Sequence, residues 1–250
     1  MVRLMTRAAA IALLLSACST ELQPSGSEPA AGTAGGAAGV SAEPVATEPV
    51  GSEPAETGAC EPPVLCGDVL APGDYSAATA TTEMTFTVDE GWSGTEYEDL
   101  GFDLVRTADG ELQLLSAVPY SGVVYADVCS GAATQEIGVT AADFVAFIAD
   151  RPGIAPKADA TEVTVGERSG MQIDVDATEP GCESDPPERL WLWELEGVSD
   201  FHLNVGEAAR LIALDGDAGV TVVVIEASDP GDFESLLDAA QPVLESMTFD

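Results

Sequence analysis

Seven short runs of residues settle most of what this chain can fold into. Met84-Thr-Phe-Thr-Val88, Phe102-Asp-Leu-Val105, Leu112-Gln-Leu-Leu115 and Met171-Gln-Ile-Asp-Val175 alternate along the chain, the period of a strand with one buried face. Val123 to Val128, Leu190-Trp-Leu-Trp193 and Val220 to Ile225 are apolar on both faces, which suits a sheet centre covered on both sides. The connections are short, as at Asp109-Gly110 and Asp215-Gly216-Asp217-Ala218-Gly219, so neighbouring strands are expected to pair antiparallel. Two segments read as helices. Thr140-Ala-Ala-Asp143 opens the first with capping-box-like residues, and Pro152 stops it. Asp229 and Pro230 open the second, with Phe233, Leu236, Leu237, Ala240, Leu244 and Met247 at three- and four-residue spacings and Pro242 expected to kink it. The fold class expected is α+β, an antiparallel β-sheet packed against helices.

All of this lies after Cys60. Residues 19 to 59 are built from Ser, Thr, Ala, Gly, Pro and Glu, with no aromatic residue. Such a stretch cannot bury enough apolar surface to offset the ordering of its backbone and is expected to be a disordered tether. Its recurring Glu-Pro pairs should extend it beyond the ~35 Å of a flexible coil of that length. The globular domain is therefore expected to span residues 60–250 as a single unit, large enough for a substantial core.

Residues 1–17 carry Arg3 and Arg7 ahead of the apolar run Ala8 to Leu15, the pattern of an export signal that is too short to span a bilayer. Ser16 and Ala17 then offer the small residues a cleavage site needs. The sequence Leu15-Ser16-Ala17-Cys18 resembles the lipobox of bacterial lipoproteins. That resemblance implies diacylglycerol on the Cys18 thiol, cleavage before Cys18, further acylation such as palmitate, and residence on the extracytoplasmic face of the cell membrane. Two acyl chains hold a soluble domain where one would bind only marginally.

Four cysteines remain, Cys60, Cys66, Cys129 and Cys182, an even set in an exported chain that favours two disulfides. Three pairings are open. The closeness of Cys60 and Cys66 favours joining them, which leaves Cys129 with Cys182. Charge is the most unusual bulk property, since 44 acidic residues face eight basic ones. A field of that sign repels nucleic acid and anionic headgroups, so neither is an expected partner. Abundant Ala, Gly, Val and Asp with a single Lys also fit the bias of a whole GC-rich or salt-adapted proteome, so the charge says little about a partner.

No catalytic set stands out. His202 is the only histidine, and alternation places it with Asn204 on the face of its strand away from Phe201, Leu203 and Val205, where it is expected to meet solvent. The Gly-x-Ser-x-Gly elbow and the phosphate-binding glycine loops are absent. Two acidic stretches are candidates for calcium: Asp174, Asp176, Glu179, Glu183 and Asp185 in one, Asp215, Asp217 and Glu226 in the other. The second imitates an EF-hand but places Val220 where the loop needs Gly. Trp191 and Trp193 would share one face of their strand and are candidates for a ligand ledge as well as for the core.

A further likeness lies in Leu70-Ala-Pro-Gly-Asp-Tyr75, in Thr85-Phe86-Thr87-Val88 running into Gly91-Trp92, and in the closing Asp229-Pro230 to Phe249. These resemble exported domains of the Mog1/PsbP-like group. The resemblance implies an α/β/α sandwich around an antiparallel sheet and a binding or assembly role, and it brings no catalytic residues.

The expected function is a membrane-anchored, non-enzymatic binding or accessory module of the cell envelope, acting as a monomer on an envelope protein or small ligand, with no cofactor unless calcium. The competing expectation is an envelope hydrolase using paired carboxylates. A cleft lined by two acids would favour the enzyme, an apolar groove without titratable groups the binder. Replacing Cys18 by Ser should release the domain from the membrane fraction or leave an unprocessed precursor, as read by fractionation and immunoblotting. Retention of a processed Cys18→Ser protein would remove the anchor.

Overall fold

Strand propensity becomes structure by pairing, and in this chain every strand finds antiparallel neighbours. The computed structural model describes residues 59–250 apart from 109, 183–188 and 196–198. The expected signal peptide, Cys18 and nearly all of the tether lie outside the described residues, as do Glu183 and Asp185. In chain order the elements are β1 (Cys66–Val69), β2 (Gly73–Thr79), β3 (Thr82–Val88), β4 (Ser93–Tyr97), β5 (Gly101–Ala108), β6 (Glu111–Tyr120), β7 (Val123–Tyr125) and β8 (Thr134–Glu136). After α1 (Ala141–Ala149) come β9 (Ile154–Pro156), β10 (Thr161–Val165), β11 (Arg168–Ala177), β12 (Arg189–Leu195), β13 (Ser199–Asn204), β14 (Ala208–Gly216) and β15 (Gly219–Ala227). The chain ends with α2 (Phe233–Ser246) and β16 (Thr248–Phe249).

These strands form a nine-stranded sheet in the order β1-β4-β5-β6-β15-β14-β11-β10, with β9 also paired to β11. Two smaller sheets, β13-β12-β7-β8 and β16-β3-β2, complete the described residues. β15 lies between β6 and β14 along almost its whole length. Its apolar residues therefore feed two cores. Val223 and Ile225 point into one with Leu104, Leu115, Tyr75, Phe86 and the α2 residues Phe233 and Leu236. Val220, Val222 and Val224 point into the other with Leu211, Val175, Trp193 and the α1 residues Phe144 and Ile148.

The α/β/α expectation needs correction at this point. Helices of nine and fourteen residues are about 13 and 21 Å long, whereas the large sheet, eight strands wide, spans about 34 Å. Each face of the large sheet is consequently shared between one short helix and one small sheet, and the domain is a helix-poor, antiparallel α+β fold.

Local chemistry explains the helix boundaries. The Thr140 side chain accepts the Asp143 N–H at 3.1 Å and its hydroxyl donates to Asp143 Oδ2 at 2.6 Å, while Asp215 Oδ1 accepts the Ala141 N–H at 2.8 Å. Two of the first turn's orphan backbone N–H groups are thus met. Asp229 accepts the Gly231 N–H at 2.8 Å, but this caps a 3-10 turn, Pro230–Asp232, and the α-helix begins only at Phe233. α2 then runs through Pro242 as one helix. The carbonyl that Pro242 leaves unpaired belongs to Asp238, an exposed residue where water can serve it. The strand expected from Val123 to Val128 is shorter, ending at Tyr125.

Disulfides join Cys60 to Cys66 and Cys129 to Cys182, with Cα separations of 5.9 and 6.0 Å. The first spans six residues and the second 53. If cross-links act mainly by restricting the unfolded chain, the longer loop contributes about 4 kcal/mol and the shorter about 2 kcal/mol. Urea unfolding of the Cys129→Ala/Cys182→Ala and Cys60→Ala/Cys66→Ala variants should show that order, with a lowered midpoint larger for the first pair.

Candidate functional site

Period-two alternation carries β15 past Val222 and Val224 to Glu226, which points into the same side of the large sheet. An acid in that position has to find a special environment, and it does. Between β13 and the β5–β6–β15 part of the large sheet lies a cavity of about 340 Å³. Leu100, Leu114, Val118, Leu195 and Phe201 supply apolar wall, and Asp103, Ser116, Asp200, His202, Asn204 and Glu226 supply polar groups. Tyr97, at the end of β4, stands at its rim.

Strand register brings these residues together. Asp103 on β5 is paired with Ser116 on β6, and the Ser116 hydroxyl donates to Asp103 Oδ1 at 2.5 Å. One row along, Val105, Leu114 and Glu226 lie opposite one another across β5, β6 and β15. Burial, followed by the nearby Asp103 charge, holds the proton of the Tyr97 phenol above its ordinary range.

Behind Glu226 is a second acid that the sequence gives no reason to single out. Glu207 occupies the β13–β14 turn and is buried, with only 7% of its surface exposed. Its two oxygens accept the backbone N–H of Asn204 at 2.5 Å and the Asn204 side-chain amide at 2.6 Å. Those bonds engage both of its oxygens. Next to it, Glu226 holds its proton well above the usual carboxylate range, first because burial disfavours its charge and then because Glu207 and Asp103 repel it. Although Glu226 retains some accessible surface, that surface faces the cavity. Glu226 therefore presents to the cavity a carboxyl that resists ionisation.

The remaining wall comes from β13. The expectation that His202 meets solvent is overturned: it is half-buried and lines the cavity with Asn204. Burial, reinforced by the charge of Arg189, lowers its pKa and keeps the imidazole neutral. Asp200 accepts a short hydrogen bond from the Tyr125 hydroxyl. Burial and that carboxylate push the Tyr125 phenol up to about 12.

The other candidates fall elsewhere. Trp191 and Trp193 do not share a face, because a bulge between them shifts the register against β13. Trp193 is fully buried, stacked on Phe201 at 4.0 Å and edge-on to Phe144 at 5.1 Å. Trp191 meets the Tyr125 and His202 rings at 5.6 and 5.8 Å. Asp174 forms a two-point pair with Arg210, both bonds 2.7 Å, and Asp176 meets Lys157 at 2.9 Å. Both carboxylates thus already have cations. Asp215 is tied to α1 and stands at the opposite end of β15 from Glu226, so the second acidic stretch is not one site. No group of three or more metal-ligating side chains occurs among the described residues.

No family model matches this sequence, and no curated protein matches it. Among solved structures, LpqN of Mycobacterium tuberculosis, described as involved in cell envelope biogenesis, overlaps with a TM-score of 0.38 and 14% identity, covering 71% of this chain and 84% of that chain. The cyanobacterial PsbP of Synechocystis overlaps with a TM-score of 0.35 and 10% identity, covering 74% and 97%. No function follows from overlaps of this size.

The Glu226 proton has a thermodynamic signature. Above its ordinary value of 4.5 the unfolded chain releases this proton while the folded domain keeps it, so folding stability falls as pH rises until the folded carboxyl ionises. The slope for one such proton is roughly 1.4 kcal/mol per pH unit. Glu226→Gln, which preserves shape and the donor, should match the natural protein near pH 4 and exceed it at neutral pH in urea unfolding. Equal pH profiles would show that Glu226 is ionised in the fold.

Proposed function

We propose that this domain is a non-enzymatic binding module of the cell envelope, held at the extracytoplasmic face of the membrane through Cys18, with the cavity beside β13 as its ligand site. The observation that carries this reading is how the cavity's acids are used. Asp103 accepts from Ser116 and Asp200 from Tyr125, and Glu226 keeps its proton beside Glu207. These carboxyls form a preorganised polar lining next to an apolar wall, the mixture typical of small-molecule sites. The cavity meets neither expectation in pure form, since it is lined by acids and by apolar residues together.

Glu226 favours a second reading, a hydrolase, because a neutral carboxylic acid is a proton donor. Its geometry is unsuited to glycoside hydrolysis by the Glu207–Glu226 pair. Such a mechanism needs a second acid free to act on the bond or on water, whereas both Glu207 oxygens already accept hydrogen bonds from Asn204.

A melting-temperature screen of small molecules tests the binding reading. A ligand at a hundred times its Kd should raise the transition by roughly 5–10 °C, and Leu114→Trp, which fills the cavity from β6, should abolish the shift. A shift that persists in Leu114→Trp would place the ligand elsewhere. Product release from envelope glycan fragments by the natural protein but not by Glu226→Gln would establish the hydrolase instead.

A further inference from the structure

The location of every basic side chain in the domain narrows the ligand. Residues 59–250 contain six: Arg106, Arg151, Lys157, Arg168, Arg189 and Arg210. Arg106 lies over the Trp92 ring at 5.5 Å. Arg151 is buried, donating to the carbonyls of Trp191 and Ala126 at 3.1 and 3.4 Å. Lys157 and Arg210 are paired with Asp176 and Asp174 on the α2 side of the large sheet. Arg168 donates to Thr82 Oγ1 at 2.6 Å. Arg189 is exposed on β12 opposite Asn204, and it alone acts on a cavity residue, through its charge on His202. None of the six lines the cavity.

The cavity is thus partly open, mostly apolar and without a basic side chain among its lining residues, and three carboxyls open onto it. We infer that it receives a small organic cation, an ammonium group on an apolar body, with the ammonium against Asp103, Asp200 and Glu226 and the body against Leu114, Val118 and Phe201. This rests on the reading of the cavity as a ligand site and names the class of ligand it takes.

Three features support it. Carboxylates in a low-dielectric wall attract a cation and repel an anion, and no basic side chain in the wall offsets them. Tyr97 and Phe201 place two aromatic side chains in the same wall, and aromatic rings can also attract ammonium groups. Finally, burial, and after it the negative charge of Glu207 and Asp103, keeps the proton on Glu226. An ammonium ion supplies positive charge in the proton's place, so binding should drive Glu226 to ionise and a proton should leave. The groups that face Glu226 set this balance: Glu207 from the β13–β14 turn, Asp103 from β5, Asp200 and His202 from β13, and Tyr97 from β4.

Calorimetric titration with three size-matched probes tests the inference: cyclohexylmethylammonium, cyclohexylmethanol and cyclohexanecarboxylate. The ammonium probe keeps its charge between about pH 5 and pH 8, having the basicity of a lysine side chain. It should bind at least tenfold more tightly than the alcohol, the carboxylate should not bind, and ammonium affinity should rise with pH by up to about tenfold per unit while Glu226 titrates. Heats measured in two buffers of different ionisation enthalpy should show proton release. Glu226→Gln should bring the ammonium close to the alcohol's affinity and flatten its pH dependence. Equal binding of alcohol and ammonium at all pH values would overturn the cation and leave the cavity as a site for neutral ligands. Binding of the carboxylate, or of none of the three, would also overturn it. In the last case the screen with Leu114→Trp decides separately whether the cavity binds anything.

Discussion

The domain depends on the burial of one strand from both sides. β15 has its backbone groups paired with β6 and β14, and its side chains are divided between two cores, so it carries no solvent-facing row until its last residues. Burying a valine or isoleucine side chain contributes about 1.5–3 kcal/mol, and Val220, Val222, Val223, Val224 and Ile225 are each almost fully buried. Neither core could close without this strand. α1 and α2 pack against opposite faces of the same sheet, and the smaller sheets extend the cover that two short helices cannot complete.

The cavity marks the end of that arrangement. Where the valines of β15 give way to Glu226, the wall opposite changes from Leu203 and Trp193 to the polar edge of β13. A lone ionised carboxylate at such a place would be prohibitively costly. Keeping its proton makes the Glu226 position tenable, at the expense of stability as pH rises. Structures commonly tolerate such a local conflict at functional sites.

Much of the fold was legible in period and punctuation. The alternation in Met84 to Val88 and Met171 to Val175 marks β3 and β11, and Asp215 to Gly219 marks the tight β14–β15 connection. Thr140 and Asp143 mark the start of α1. What stayed hidden depends on contacts between distant residues. The bulge separating Trp191 from Trp193 arises from pairing with β13, and a strand read alone keeps strict alternation. β14 was missed because Leu211-Ile-Ala-Leu214 is a short apolar run whose type only its partners decide. The α/β/α expectation failed on helix length against sheet width. The site itself is a matter of register: Asp103, Glu207 and Glu226 are more than a hundred residues apart at the extremes, and the one available hint was a Glu continuing an apolar period.

The closing of the α2-side core involves both ends of the domain. β16 pairs with β3, and Thr82 donates its hydroxyl to the carbonyl of Asp250, 168 residues later. Phe233, Leu236 and Met247 complete a core begun by Tyr75, Met84 and Phe86, while the other core is drawn from Val118 to Val224 and has all its residues earlier. A chain emerging from its N-terminus must therefore leave the β2–β3 hairpin without its partners until α2 and β16 have been made. Contacts of such long sequence separation fold slowly and expose apolar surface while they wait. The strand that seals the first hairpin is the sixteenth, so the domain gains its full cooperativity only once β16 is in place.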